Sequence, residues 1–579
     1  MADTKEWTLM FYFASDNPLA PGIVTQLKAL KQAGFHPDVN VVVQFDPQTE
    51  GTPTHIFDVN LVNKLKSNGR PDIGFSGNDP YVRTLMEDKL WREQKGRNGT
   101  DQIRDLLKQT LAAKGVAYDP PIPPPDRSMN GVAVPKPPRA ADSRARPEPG
   151  PKESLSTFLT FCSDNYRAKN YMLFILGHGI AVGNDIFLFD EHVDSDQHSL
   201  SLIDLGGVLK GFAQQVRDQG AEFQLVSFHS CSVSSLEVAY ELQENLGGRL
   251  KGTANYMLAS QGPAFVGSWP YREIVIRVLN DVNSLKEQGT PINVKEMLVR
   301  IFNYVLHNSS DFILAGYPFQ LTLCDLNKVA EVTAPLKTLS DDLFDGLADS
   351  TVRNLILLAH WKSISYWGEK YTDLYDFCFC LSNYCEEFGS QTGGMSGMVA
   401  TIHKDCGDVL DQLTAGVDGN DDRLIVRADF AGPGYQYSHG LSVFFPWTSP
   451  LDNFMKTYEE YGFKITSWNE FLKSYFVKTE RNPRRAEADT RTRAATQNAE
   501  ERLEEDIASI CFNNEGPLNM PGALNTLSRK VDPKDPTGDD CDCGTIKNYP
   551  HDTRPRPERD KKPLDGLLPI GPNAFDLFQ

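Results

Sequence analysis

Apolar residues in this chain collect into short unbroken runs, each set off by stretches of helical period. Trp7 to Phe13 (WTLMFYF), Val39 to Asp46 (VNVVVQFD), Tyr171 to Leu176 (YMLFIL) and Phe223 to His229 (FQLVSFH) are each the length of one strand. Runs without alternation are expected of strands buried on both faces, as in a parallel sheet. Tyr256 to Ser260 (YMLAS), Gly440 to Pro446 (GLSVFFP) and the shorter Asp185 to Asp190 (DIFLFD) add further strands. Pro21 to Gly34, Ser154 to Ala168, Ser201 to Val216 and Ser234 to Leu246 carry the 3.6-residue period of amphipathic helices. A strand, a helix and a strand joined by short turns form a βαβ unit, which demands a right-handed crossover and a largely parallel sheet. The fold class is therefore α/β, a mostly parallel sheet with helices on both faces.

The pattern breaks twice. Residues 116–152 (including DPPIPPPDRSMNGVAVPKPPRAADSRARPEPGPK) are rich in proline and charge with little to bury, and predict an extended linker or insertion. A plain surface insertion is one reading; a processing loop is the other, with Arg139, Arg144 and Arg146 as cleavage points. Residues 477–579 form a charged, Pro-rich extension with one helix expected near Ala494 to Ile510 and the rest irregular. Residues 1–115 and 153–476 then make up one α/β domain around the insertion.

The net charge of −19 argues against nucleic acid as the main partner, and no run of about 18 to 20 apolar residues could cross a bilayer. The N-terminus lacks the layout of a signal peptide, and ten irregularly spaced cysteines do not form a disulfide framework, so a cytoplasmic, reduced setting is expected.

Two strand ends carry chemistry. The first apolar run of the central region opens into Gly177, His178 and Gly179; the next ends in Ser230 and Cys231. In an open parallel sheet, ligands bind beyond the carboxyl ends of the strands. Were the two strands neighbours, His178 and Cys231 would face each other there. A thiol needs a cationic or dipolar neighbour to ionise, and a helix beginning near Cys231 would supply one. An imidazole then serves as general acid for a leaving amine. Taken singly, a cysteine at a strand end is more often a small core hydrophobe, and a histidine between glycines is a weak signal. The pair in this order is what points to a nucleophilic site.

These segments resemble the clostripain-like cysteine peptidases of the caspase-fold clan. The resemblance runs through EWTLMFYFASDNPL with its Asp16–Asn17 pair, LSTFLTFCSDNYRAKNYMLFILGHG, SCSVSSLEVAYEL, ASQGPAFVGSWPY (Ala259 to Tyr271), TDLYDF near Asp373, SHGLSVFFP near Ser438 and ITSWNEFLKSYF. It implies a caspase-like sheet and an endopeptidase that cleaves protein or peptide substrates through a His178–Cys231 dyad and a thioacyl intermediate. The oxyanion hole would be the backbone N–H groups of Gly179 and Cys231. It also places His229, Ser260, Gln261 and Gly262 along the substrate groove. Relatives that cleave after Arg or Lys carry an acidic residue two positions before the nucleophile, where this chain has His229, and another on the groove strand, here Gln261 or Gly262. A basic P1 side chain needs a carboxylate to offset its desolvation, so a preference other than Arg or Lys is expected, unless an acid comes from elsewhere. His229 has a plainer reading as a satisfied core histidine.

No cofactor is expected. Calcium is a candidate for the acidic run Asp190, Glu191, Asp194 and Asp196, since some relatives use it and hard oxygen ligands suit it, although a solvated acidic loop explains the run equally simply. DGNDD (Asp418 to Asp422) lacks a glutamate in register, and Cys541 and Cys543 lack a second pair at zinc spacing. No metal site is assigned. The rival functional reading is a catalytically silent caspase-fold scaffold; activation through the 116–152 loop and a regulatory protein partner are expectations attached to the enzyme reading.

Overall fold

The computed structural model describes residues 4–15, 36–45, 55–59, 150–179, 199–264, 269–308, 319–366, 370–395, 397–414, 422–431, 435–447 and 452–479, with a few isolated positions between them. Asp16 and Asn17, the strand expected over Asp185 to Asp190, the acidic run Asp190 to Asp196, almost all of the 116–149 insertion, Asp418 to Asp421 and everything after Thr479 lie outside the described residues.

An eight-stranded sheet forms the centre. Its strands are β1 (Lys5–Phe13), β2 (Val39–Phe45), β3 (His55–Asp58), β4 (Ala168–Leu176), β5 (Glu222–His229), β6 (Tyr256–Ala259) and β7 (Phe319–Asp325), with Ile425–Ala431 as the far edge strand. From that edge the order is Ile425–Ala431, β7, β6, β5, β4, β1, β2, β3. The five strands from β2 to β6 pair in parallel, and the strands beyond them on either side are antiparallel. The sheet is thus parallel where the uninterrupted apolar runs lie. Every residue of β2, and all of β1 but Lys5, is buried.

Helices cover both faces. α1 (Pro151–Asn165) and α2 (Leu202–Asp218) lie on one face, where Phe158 meets Tyr12 and Phe212 meets Tyr171. On β1 and β4, Phe11 and Phe174 point the opposite way and stack at 4.7 Å; Phe11 also meets Tyr271 at the start of the helix Tyr271–Gln288. The alternation of side chains along a strand requires these two helix sets to be on opposite faces. α3 (Leu236–Glu241) follows β5 and is shorter than the Ser234 to Leu246 period suggests. From Gln243 the chain turns into a hairpin, Gln243–Leu246 with Arg249–Gly252, at the glycine pair Gly247 and Gly248.

A second, three-stranded antiparallel sheet joins Ser365–Tyr366, Tyr371–Asp373 and Ser442–Phe444. The expected strand Gly440 to Pro446 therefore exists but belongs here rather than to the main sheet. This sheet is tied to the segment after β5. Ser442 N–H donates to Ser234 O at 3.1 Å, and Ser234 Oγ donates to Gly440 O at 2.7 Å. Glu237 of α3 is fully buried; its Oε1 accepts from Phe444 N–H at 2.7 Å and from Tyr458 O–H at 2.9 Å. Burial raises its carboxyl above the ordinary glutamate range, against the lowering effect of those donors. One turn on, Glu241 Oε1 accepts from Phe463 N–H at 3.0 Å. The two glutamates, four apart on one helix face, hold the C-terminal elements against α3.

Replacing Glu237 with Ala strands the Phe444 amide and the Tyr458 hydroxyl in the core. Each orphaned group costs roughly 1–3 kcal/mol, so a loss of about 3 kcal/mol in urea unfolding is expected, with Glu237→Gln recovering most of it. An unchanged midpoint in Glu237→Ala would show that the clamp contributes nothing.

Candidate active site

β4 and β5 pair in parallel with Leu176 opposite His229. Two residues beyond that pair on each chain stand His178 and Cys231, so the two strand ends deliver them side by side. Core packing does the positioning: Tyr171 to Leu176 and Phe223 to His229 are buried throughout, and slipping either strand would force those side chains to repack against the layers on both faces.

The glycines flanking His178 are required by close approach. A Cβ on Gly179 would lie 2.0 Å from the Cys231 carbonyl oxygen and 2.2 Å from its nitrogen, and one on Gly177 would lie 2.8 Å from Leu188. Backbone therefore presses directly on backbone beside Cys231, and only glycine fits there. The His178 carbonyl accepts from Leu188 N–H at 3.1 Å, and the Leu176 carbonyl from Ala14 N–H at 2.9 Å, which fixes the exit from β4.

After Cys231 the chain turns sharply. Ser232 has φ of 52°, a left-handed conformation that a non-glycine residue adopts at a cost. Its N–H donates to Gly262 O at 3.0 Å, and Ser234 N–H donates to Ser260 O at 2.9 Å, so the segment after β6 runs alongside the turn. The helix begins only at Leu236, capped by the Ser235 hydroxyl. Four residues thus separate Cys231 from the first helical turn. The expected location of Cys231 at a helix N-terminus is corrected accordingly, because the dipole effect is confined to the terminal turn. The sulfur instead meets the Ala264 peptide: Ala264 N–H donates to Sγ at 3.3 Å, and the thiol donates to Ala264 O at 3.7 Å. Ala264 was not singled out in the sequence, where a backbone contact leaves no residue-type signal.

Cys231 is fully buried and His178 is 3% exposed. Burial depresses the His178 imidazole to about 3, so the ring is neutral in the arrangement described. In the same turn, Ser230 Oγ and Ser232 Oγ are buried with no hydrogen-bond partner among the described residues.

The remaining groove candidates are packed into the protein. His229 is 2% exposed, with its ring stacked on Trp269 at 3.4 Å, Nε2 sharing a hydrogen bond with Ser227 Oγ at 3.0 Å, and Nδ1 bonded to the Tyr271 hydroxyl. Burial lowers its imidazole far below the usual range. Both ring nitrogens are committed, so the core-histidine reading describes it and the substrate-contact reading is corrected. Gln261 is equally committed: Nε2 donates to Asp373 Oδ2 at 3.0 Å, while Oε1 accepts from Gly440 N–H and the Tyr366 hydroxyl. Ser260 Oγ accepts from Gly262 N–H at 3.2 Å, and a Cβ on Gly262 would lie 2.3 Å from the Tyr435 oxygen. Side chains of Ser260 and Gln261 thus build the support of the groove segment. Asp373, an alternative source of negative charge, is fully buried and accepts from Gln261, the His439 amide and the Asp376 amide. Burial raises its carboxyl, with His439 working against that rise. Among the described residues no three His, Cys, Asp or Glu side chains group as a metal site, and no helix is long and apolar enough to cross a membrane.

A methyl group at position 179 must push the two strand ends apart. Gly179→Ala is expected to lower kcat/KM by at least ~100-fold, in line with the sensitivity of catalysis to misplacements of about 1 Å. Near-normal turnover would disprove the close approach. Acid sensitivity follows from the buried rings. His178, His360 and His229 are depressed by burial, the first two to about 3, whereas unfolded histidine titrates near ~6.5. Between those values the unfolded chain binds more protons, so stability rises with pH up to about 6.5 and falls below it, by about 1.4 kcal/mol per ring per unit. Asp405, raised to about 6 by burial and the neighbouring Asp342, acts in the opposite sense, as do Glu237, Glu241, Asp325, Asp373 and Asp429, whose carboxyls burial also raises. A net loss of roughly 2–3 kcal/mol between pH 7.5 and 5.5 is expected in urea unfolding; a flat profile would mean that the rings are hydrated.

Known proteins match this chain. A model of the clostripain family matches residues 140–475. Clostripain of Hathewaya histolytica is 23% identical over 399 residues, covering 57% of this chain and 70% of that protein. Among solved structures, a secreted C11 cysteine protease from Bacteroides thetaiotaomicron, in complex with an irreversible peptide inhibitor, aligns at 12% identity and a TM-score of 0.42, over 80% of this chain and 99% of that one. An inactive zymogen C11 protease from Parabacteroides distasonis aligns at 14% identity and a TM-score of 0.39, over 82% and 99%. With the family model spanning more than half of its length, the chain belongs to the clostripain family of cysteine peptidases.

Proposed function

We propose that this peptidase cleaves its protein or peptide substrates with Cys231 as nucleophile and His178 as the proton-transferring partner. The observation that carries the reading is the register of β4 on β5, which brings the two residues to adjacent strand ends with Gly179 backbone against Cys231. The thiolate attacks the scissile carbonyl, forming a C–S bond and moving the π pair to oxygen. Backbone N–H groups of Gly179 and Cys231 stabilise that oxyanion. Collapse of the intermediate breaks the C–N bond, and the departing amine takes a proton from His178. Water, losing a proton to His178, then hydrolyses the thioester and frees the thiolate.

The buried dyad supports a second element of the proposal, that the arrangement described is the less active form. A carbonyl cannot reach a fully buried sulfur, and a ring held near 3 cannot supply a proton at neutral pH. Cleavage or displacement of the 116–152 insertion, at Arg139, Arg144 or Arg146, is the proposed activating event. Equal activity of a cleavage-resistant chain with all three arginines replaced by Gln would overturn this element alone.

The packing of His229 and Gln261 bears on specificity. Neither is acidic, neither is free, and Asp373, fully buried, already accepts from three donors, so a basic P1 side chain finds no uncommitted carboxylate there among the described residues. A P1 preference other than Arg or Lys is proposed. Hydrolysis of fluorogenic peptides differing only at P1 is expected to vanish in Cys231→Ala and to fall at least ~100-fold in His178→Ala, within the range for loss of general acid–base catalysis. Full activity of Cys231→Ala would sink the dyad, and strong preference for Arg would sink the specificity.

A further inference from the structure

We propose that the backbone amide of Ala264 is a catalytic group, its N–H holding the Cys231 thiolate ready for attack. The inference rests on the reading of Cys231 as nucleophile. It starts from a requirement that the other neighbours leave unmet: an anionic sulfur in a water-excluded site needs a donor or a positive charge. The helix dipole is four residues away, and α3 is only six residues long. Burial keeps His178 neutral, so no imidazolium faces the sulfur in this arrangement. What touches Sγ is the Ala264 peptide, with its N–H at 3.3 Å and its carbonyl oxygen at 3.7 Å.

Three features make this contact a built one. Ala264 is 2% exposed, and a buried amide must find an acceptor; sulfur is the acceptor it has. The segment leading to it is pinned to the nucleophile turn at Ser260 O and Gly262 O by the Ser234 and Ser232 amides. Pro263, immediately before Ala264, fixes its own φ, so the direction of the following amide is restricted. The peptide can serve both protonation states. The neutral thiol donates to the carbonyl; once the proton has left, the N–H bond becomes charge-assisted and stronger. On attack the sulfur lone pair forms the C–S bond and its charge passes to the carbonyl oxygen, so the Ala264 bond weakens as the oxyanion donors take over.

Ala264→Pro removes the N–H and keeps the carbonyl; Ala264→Gly keeps both. Losing the donor lowers the thiolate fraction, but the thiolate that remains is more nucleophilic, with a Brønsted coefficient of about 0.4–0.5. A tenfold fall in thiolate fraction is thus partly offset by a roughly threefold gain in intrinsic reactivity. In the activated chain, where reagent reaches the sulfur, iodoacetamide alkylation of Cys231 in Ala264→Pro should be about threefold slower than wild type near pH 7 and about threefold faster on the alkaline plateau, the two profiles crossing. Ala264→Gly should track wild type. General loosening of the site would raise the rate at every pH and produce no crossing. Should Ala264→Pro fail to fold, the wild-type full chain labelled with ¹⁵N-alanine supplies the test. Its Ala264 amide resonance, assigned by its loss in Ala264→Gly, should move with the same pH midpoint as alkylation and stay still in Cys231→Ser. Profiles of Ala264→Pro that superimpose on wild type, or an amide that ignores the titration, overturn the inference. Retained hydrolysis in Cys231→Ala would instead overturn the nucleophile reading beneath it.

Discussion

The parallel pairing of β4 with β5 is the constraint from which the rest of the site follows. Strand segments buried on both faces cannot slide past one another without repacking their side chains against both layers, so the close packing of the core fixes their register. Once Leu176 lies opposite His229, the next two residues on each chain are committed to the same edge of the sheet. The chemistry then needs only local permissions: a glycine at 179 so that backbone can meet backbone, and a turn at Ser232 that carries the chain away. The adjacency of His178 and Cys231 at the sheet edge is thus a by-product of core packing.

That division of labour explains what the sequence disclosed. The five parallel strands were readable because strands buried on both faces appear as uninterrupted apolar runs. His178 and Cys231 stood out as candidates because each follows directly on such a run. β7 and the edge strand Ile425–Ala431 were not, since FQLTLCD and IVRADFA mix polar and apolar positions and pair antiparallel with distant partners. Glu237, Asp373 and Ala264 were missed for a shared reason. Two are acids buried by contacts with chain more than 60 residues away, Phe444 for Glu237 and His439 for Asp373, and the third meets the sulfur through its peptide group. His229 shows the converse error: its place two residues before Cys231 suggested contact with substrate, while the stacking partner that buries it, Trp269, lies 40 residues downstream.

Burial sets the electrostatic character of the site. In a low-dielectric pocket an ion pair of thiolate and imidazolium gains strong mutual attraction only if both ions are solvated by fixed dipoles; otherwise proton return to sulfur is cheaper. Burial depresses His178 to about 3 in the arrangement described.

The turn carrying Cys231 is gripped from two sides by chain that comes later in the sequence. Ser260 to Ala264 lies along one side and Ser438 to Ser442 along the other, with Gly440 O accepting from both Ser234 Oγ and Thr322 Oγ1. Glu237 and Glu241 extend the grip to Phe444, Tyr458 and Phe463. A left-handed serine persists only where its surroundings over-determine it, and the Ser232 amide is held by Gly262 O. Loosening the Ser260 to Ala264 segment therefore acts on the sulfur twice, by releasing the strained turn beneath it and by withdrawing the peptide that faces it. The reactive turn belongs to β5 by sequence, but its conformation is maintained by elements as far along the chain as the helix Trp468–Thr479, whose Trp468 Nε1 donates to Phe444 O and closes the small sheet over α3.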